Sequence, residues 1–259
     1  GGCAVGGIPA VPGMPAREGR VKGPQDLARR CAGLARDALA ASLDARGYAT
    51  TGPLLEAAEC AALVDLYGEE TRFRSRVDMA RFRFGEGEYK YFAAPLPEPV
   101  AILREALYAL LAPVANRWAE RLGSRERFPA DLAGLARLCA RHGQTRPTPL
   151  LLRYGKGGYN CLHQDLYGKI AFPLQLTVLL SDPAADFTGG EFVLVEQRPR
   201  AQSAAHVVPL APGEAVIFTT RYRPARGARG WYRVALRHGV SEIRLGERYT
   251  LGVIFHDAE

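Results

Sequence analysis

The chain has 259 residues, 47% hydrophobic and 24% charged, with a net charge of +7 and a pI near 9.3. That balance excludes a disordered or fibrous chain, and the absence of any apolar run of about 18 residues leaves no segment that reads as a membrane span. Five scattered cysteines (Cys3, Cys31, Cys60, Cys139, Cys161) with no Cys-x-x-Cys pair argue against a disulfide framework or a thiolate zinc site and fit a reducing cytoplasm.

The first stretch, "GGCAVGGIPAVPGMPAREGRVKGP" (residues 1–24), is rich in Gly and Pro, starts without Met and lacks the basic-then-apolar order of a signal peptide. It reads as a flexible tail on a truncated or processed chain. Residues 25–148 read as a mainly helical N-terminal region packing on a core built from the rest of the chain. "PQDLARRCAGLARDALAASLDARG" repeats its apolar residues at helical spacing and ends at Gly47. "GYATTGPLL" is a short extended run. "LEAAECAALVDLYG", "PVAILREALYALLAPVANRWAERLG" and "PADLAGLARLCARHG" are further amphipathic helices, each ending at Gly. Most of their apolar residues serve as core stripe.

From Pro149 the period changes. "LLLRY", "YNCLHQD", "FPLQLTVLL", "EFVLVE", "AHVVPL", "EAVIFT", "WYRVALRH" and "RYTLGVIF" are short apolar runs separated by turn-forming stretches such as "SDPAADFTGG", "APGE" and "RPARGARG". Short strands at this regular spacing mark a sandwich or barrel over residues 149–259.

In the second run His163 and Asp165 are one residue apart, so on a strand they share a face while Gln164 turns away. By itself the pattern is weak: five His and ten Asp make a chance His-x-Asp about a one-in-five event. His238 strengthens it. On "WYRVALRH" it shares a face with Tyr232, Val234 and Leu236, opposite Arg233 and Arg237. His206 has no such framing, and His142 sits at a helix end, where a cation suits the dipole. Two His and one carboxylate with open positions form the facial triad of non-heme Fe(II) oxygenases, whose vacant sites take a 2-oxo acid and dioxygen. On the last run Arg248 and Thr250 share a face among apolar neighbours. A guanidinium placed there needs a carboxylate, and the distal carboxylate of 2-oxoglutarate suits it, with the Thr250 hydroxyl beside it.

These motifs resemble the 2-oxoglutarate and Fe(II)-dependent dioxygenases. The likeness to prolyl-hydroxylase-type members covers residues 149–257 and rests on "YGKGGYNCLHQD", "GGEFVLVE", "PGEAVIF" and "RHGVSEIRLGERYTLGVIF". A closer likeness joins "RFRFGEGEYKYFAAPLP", "GQTRPTPLLLRYG", "YNCLHQDLYG", "DFTGGEFVLVEQRPR" and "LGVIFHDA" to a bacterial oxygenase family presumed to act on damaged nucleic acid. The resemblance implies an α+β protein: a double-stranded β-helix (jelly-roll, cupin-like) core with an N-terminal helical wrapper. Its second and seventh strands would be neighbours, bringing His163, Asp165 and His238 together and leaving His206 further off. It implies Fe(II), 2-oxoglutarate and dioxygen, with ascorbate in support. It also implies that Tyr154, and on weaker grounds Thr177, approach the oxo acid. Prolyl-hydroxylase-type members often have Tyr where Asn160 stands. Strict alternation from His163 puts Tyr159 inside and Asn160 outside unless a bulge intervenes, which makes Tyr159, after Tyr154, a further candidate for contact with the oxo acid. Those members also usually have Lys where this chain has Arg248.

Only Lys22, Lys90, Lys156 and Lys169 are lysines among the 34 basic residues. So Arg-rich a composition fits either high-GC coding bias or a polyanionic partner. Two stretches are basic and aromatic together. "RFRSRVDMARFRFGEGEYKYF" includes Arg83 and Tyr89; "RYRPARGARGWYR" includes Arg221, Arg223, Arg229 and Trp231 and leads to His238 at the mouth of the iron site. Phosphates take Arg and unstacked bases take aromatic faces, so these are candidate contacts to single-stranded or damaged nucleic acid. The leading expectation is oxidative demethylation of alkylated bases. The rivals are hydroxylation of a protein side chain or small molecule at the same iron site, and a non-enzymatic jelly-roll sensor of metal or ligand.

Overall fold

Every strand expected after Pro149 falls into one of two antiparallel sheets that face each other across a cavity. The computed structural model describes residues 23–166 and 168–259, so the tail expected over residues 1–24 lies, but for its last two residues, outside them. The larger sheet runs in the order β1 (Tyr48–Pro53), β11 (Glu214–Thr219), β7 (Leu174–Leu179), β15 (Arg248–Ile254), β5 (Leu150–Tyr154), β4 (Glu88–Phe92) and β2 (Phe73–Asp78). The smaller runs β10 (Ala204–Val208), β9 (Phe192–Gln197), β13 (Gly230–Val240), β6 (Tyr159–His163) and β3 (Gly85–Glu86), with β12 (Tyr222–Gly227) hairpinned onto β13. A short ribbon pairs β8 (Phe187–Gly189) with β14 (Ile243–Gly246).

Alternation along the strands of the larger sheet divides its apolar residues between two cores. Leu151, Leu174, Leu176, Val178, Ile217, Leu251 and Val253 point outward and pack with Leu27, Leu43, Leu63, Leu107, Trp118 and Leu135 of the helices. Those helices are α1 (Pro24–Ala32), α2 (Arg36–Arg46), α3 (Ala57–Asp65), α4 (Glu98–Arg121) and α5 (Leu132–Ala140). Tyr154, Leu179, Val216 and Phe218 point the other way and meet Phe192, Leu194, Val234, Leu236 and Val240 of the smaller sheet.

Two expectations are corrected. The first helical stretch is broken at Gly33 into α1 and α2, the second of which does end at Gly47 in the left-handed conformation. The stretch from Phe73 to Phe92, counted with the helical region, forms β2, β3 and β4, which extend both sheets. Its alternation is hidden because charged residues take the exposed positions and several aromatic residues stay only half covered.

Candidate active site

β6 and β13 are paired so that His163 lies directly across from His238. The chain leaves β6 at Gln164, whose side-chain amide donates to the Leu236 carbonyl at 2.9 Å and turns Asp165 back beneath the two imidazoles. His163 Nε2 lies 3.4 Å from Asp165 Oδ1 and His238 Nε2 3.2 Å from Oδ2, and one donor atom from each of the three residues falls within 4.8 Å of the others. His163 Nδ1 donates to the Cys161 carbonyl at 2.7 Å, which leaves the Nε2 lone pair to face the carboxylate side. Gln175 on β7 is buried and donates its amide to Asp165 Oδ2 at 2.9 Å, orienting the carboxylate.

The electrostatics suit a cation. Burial would raise the Asp165 carboxyl, yet the hydrogen bonds and charges of His238 and His163 hold it well below the ordinary carboxylate range. Burial, aided by the His163 charge, pushes His238 down. Burial opposes the His163 cation too, but contact with Asp165 outweighs it and leaves His163 raised. An ionised carboxylate between two imidazoles is a complete facial set for a divalent metal, and among the described residues no fourth His, Cys or carboxylate joins it to close the site.

The cavity, about 370 Å³, is walled by alternate residues of neighbouring strands. Tyr89 and Tyr91 of β4, Leu150, Leu152 and Tyr154 of β5, and Arg248, Thr250, Gly252 and Ile254 of β15 line one side. Cross-strand register places Arg248 beside Tyr154 and Thr250 beside Leu152. Arg248 is only 2% exposed, its guanidinium lies 5.9 Å from the Tyr154 ring centre and 5.8 Å from that of Phe187, and its Nε has no hydrogen-bond partner among the described residues. Burial lowers its pKa to about 10, opposed by Tyr154 and Glu191, so it remains a cation at neutral pH. A buried cation with an unsatisfied donor, facing a cavity, calls for an anionic ligand. Gly190 makes room for it: the residue sits at φ +64°, and a Cβ there would fall 2.2 Å from Ile243 Cδ1 and 2.9 Å from Arg248 Cδ.

Of the residues singled out in the sequence, His163, Asp165, His238, Arg248, Thr250, Tyr154, Thr177, Tyr89 and Arg83 all line this one cavity. Tyr159 does not, and its expected place inside is corrected. The β6–β13 register slips between His163 and Asn160, and this bulge turns Asn160 inward, where its amide donates to the Tyr154 hydroxyl at 3.2 Å. Tyr159 is left on the surface. The hairpin stretch is also placed differently from expectation. Its tip, between Gly227 and Gly230, is at the far end of β13 from His238, and none of Arg221, Arg223, Arg229 or Trp231 lines the cavity. Arg223 is buried and paired with Glu196 through Nη2 at 2.7 Å and Nε at 3.2 Å. Trp231 lies under Arg121 and Arg226, at 4.4 and 5.4 Å from ring centre to guanidinium carbon. Arg221 comes nearest, its carbonyl accepting from Gln164 at 3.3 Å while its guanidinium covers Tyr222.

Sequence reasoning missed Gln175 and turned Asn160 and Gln164 away from the cavity, which all three line. Gln175 could have been found as the one polar residue two positions before Thr177 in an otherwise apolar run.

The fold is similar to those of solved prolyl hydroxylases. A prolyl-4-hydroxylase of Pseudomonas putida aligns with 86% of this chain and 99% of its own at a TM-score of 0.51 and 15% identity. A prolyl hydroxylase of Trichoplax adhaerens, solved with a hypoxia inducible factor peptide, aligns with 92% and 94% at 0.52 and 13% identity. At such identities the likeness is one of fold. In sequence, an uncharacterized protein of Mycobacterium tuberculosis, strain H37Rv, is 51% identical over 167 residues, covering 64% of this chain and 72% of that protein. Residues 87–258 match the family Oxygenase-NA, described as an oxygenase catalysing oxidative methylation of damaged DNA. That span contains the three side chains grouped as a candidate metal site, Arg248 and most of the cavity wall. The chain therefore belongs to this oxygenase family, with a facial triad and a buried arginine suited to Fe(II), 2-oxoglutarate and dioxygen.

Proposed function

We propose that the protein is an Fe(II)- and 2-oxoglutarate-dependent dioxygenase that demethylates alkylated bases of nucleic acid, a repair activity exercised in the cytoplasm. The observation that carries this reading is Arg248: a buried cation with an unsatisfied Nε in the same cavity as a complete facial triad. His163, Asp165 and His238 would hold Fe(II), which would supply oxidising chemistry whose balance is dioxygen and 2-oxoglutarate to succinate, carbon dioxide and one hydroxyl on an N-methyl carbon, the hydroxymethyl product then losing formaldehyde. The chain's own residues do the rest. Arg248 pairs with the distal carboxylate of the oxo acid, and Thr250 and Tyr154 offer it hydroxyls. Gln175 holds Asp165 in its ligating orientation. The apolar wall of Leu150, Leu152, Phe192 and Val240 keeps water from the reacting carbon. In fold, we read the two facing sheets as the halves of a double-stranded β-helix over residues 149–259. Residues 25–148 then form the wrapper, with β1 to β4 lent to its sheets.

The test is succinate and formaldehyde release by purified protein with Fe(II), 2-oxoglutarate, ascorbate and air, with and without single strands carrying N-methylated bases. Stimulation with stoichiometric formaldehyde is expected, and loss of both in His163→Ala and Asp165→Ala. Slow turnover that no oligonucleotide stimulates would remove nucleic acid as substrate and turn the search to proteins and small molecules. Undiminished turnover in the Ala variants would sink the site assignment.

A further inference from the structure

Eight large hydrophobic residues are exposed among those described, and five of them (Phe82, Phe84, Tyr159, Leu162, Leu166) come from two short segments, 82–84 and 159–166. These segments touch. Gly85 pairs with Asn160 across β3 and β6, the Cys161 amide donates to the Phe84 carbonyl at 2.8 Å, and a Cβ on Gly85 would fall 2.3 Å from the Tyr159 carbonyl oxygen. Of these residues, Phe84 and Leu162 line the cavity together with Arg83 while staying exposed, which puts apolar surface at its rim. Contiguous exposed apolar surface costs solvation and marks contact with a partner.

The two phenylalanines form its ordered part. Their rings stack at 5.5 Å with an interplanar angle of 20°, and they are 57% and 47% exposed. Their loop is held in place from beneath. The amides of Phe82 and Phe84 both donate to the carbonyl of Met79, itself wholly buried, at 3.1 Å each. Asp78 accepts from the Ala80 amide at 3.1 Å, and Arg83 takes the left-handed conformation at φ 59°. Phe84 lines the cavity and Phe82 lies beside it, so the pair leads from the rim onto the outer surface. Arg81 and Arg83 flank the rings and are exposed. The other arginines of the stretch are engaged: Arg72 with Glu69, Arg74 with the Pro147 carbonyl and the Tyr91 ring, Arg76 with Glu88.

We infer that Phe82 and Phe84 form a stacking platform for unpaired bases of a single strand entering the cavity, with Arg81 and Arg83 on its phosphates. This rests on the nucleic-acid reading above and assigns its contacts to this loop. Flat aromatic faces held rigid beside exposed guanidinium groups match a single strand, whose bases present their faces. Duplex bases have both faces covered by their neighbours, so the platform selects single strands over duplex.

The experiment is a fluorescence-anisotropy titration of a short labelled oligothymidylate, and of the same strand in a duplex, at several salt concentrations. Phe82→Ala and Phe84→Ala should each weaken single-strand binding on the order of tenfold to a hundredfold while leaving the salt slope unchanged. Phe84→Tyr should restore binding, and the Ala variants should narrow the preference for single strand over duplex. Arg81→Gln and Arg83→Gln should instead each flatten the salt slope by about 0.7. Ala variants that bind as tightly as the unaltered protein would overturn the platform. If that same unaltered protein still releases formaldehyde from a methylated strand, the functional reading stands without it. No binding and no formaldehyde from the unaltered protein would overturn both.

Discussion

Two arginines in this fold are equally buried, each 2% exposed, and they do opposite things. Arg223, on the hairpin strand β12, is gripped by Glu196 through two nitrogens, and Glu196 is in turn held by Arg198 at 2.6 Å. Arg248, on β15, has aromatic rings on two sides, an unsatisfied Nε, and a cavity in front of it. A buried guanidinium already neutralised by the protein is part of the framework, whereas one that faces a cavity with an unsatisfied donor is the residue we propose for the carboxylate of the co-substrate. Both come from Arg-rich surroundings, so composition does not tell them apart.

Replacing each by Leu is the most direct way to break that contrast. Arg248→Leu should lower 2-oxoglutarate-dependent turnover by about a hundredfold or more, with a raised KM for 2-oxoglutarate, because it removes one side of a buried charge pair formed only with the ligand. Its thermal midpoint should not fall, since the unliganded protein loses an uncompensated cation. Unchanged kinetics in this variant would end the co-substrate assignment. Arg223→Leu should do the reverse. It leaves Glu196 with only the half-exposed Arg198, and stability should drop by about 3 kcal/mol in urea denaturation while KM for 2-oxoglutarate stays the same. A variant as stable as the parent would show that the Glu196 pair is not structural.

A smaller effect sharpens the same point at the metal. Gln175 touches no reacting atom; it fixes the second oxygen of Asp165. Gln175→Leu should weaken Fe(II) binding about tenfold to a hundredfold in an anaerobic titration, and Gln175→Asn should not rescue it, being a methylene too short to reach. Equal affinity in Gln175→Leu would mean that the triad orients itself.

How much is legible in the sequence divides the same way, between local pattern and long-range pairing. Strand alternation is a local rule and places His163 and His238 on inward faces without any knowledge of pairing, whereas Asp165 lies beyond the end of β6 and reaches them through the turn at Gln164. Arg248 and Thr250 are legible for the same reason. Asn160 and Tyr159 exchange places because a bulge depends on the partner strand: β13 advances two residues from His238 to Val240 while β6 advances three from His163 to Asn160. The hairpin arm β12 reads as a turn, since "RYRPARG" shows no apolar alternation. It pairs on one side only, an edge position where Pro224 and charged residues are tolerated. β4 escapes a sequence reading because the cavity wall it supplies is built from Tyr89 and Tyr91, with Lys90 buried on the other side and its ammonium bound to the Tyr67 carbonyl and Glu70. The fate of each arginine depends on carboxylates distant in sequence, which no local pattern reports.

His256 extends the comparison to a buried group that avoids charge altogether. It is wholly buried, and its Nδ1 accepts from the Phe172 amide at 3.1 Å, a bond that only the neutral ring can make there. Burial, with the nearby Arg104 adding to it and Asp165 opposing, pushes its pKa from 6.5 down to about 4. Because the folded value lies below the unfolded one, the unfolded chain binds more protons between them. Stability from this group is therefore complete above pH 6.5 and is lost as pH falls toward 4. Near pH 5.5 the loss should be about 1 kcal/mol relative to neutral pH. His256→Gln keeps an acceptor for the Phe172 amide and removes the titration. Denaturation in the presence of a chelator, with iron absent from both proteins, should show a flatter decline in the variant from pH 7 to pH 5.5. Parallel declines would mean that His256 is protonated as readily folded as unfolded, and that the Phe172 amide does not hold the ring neutral.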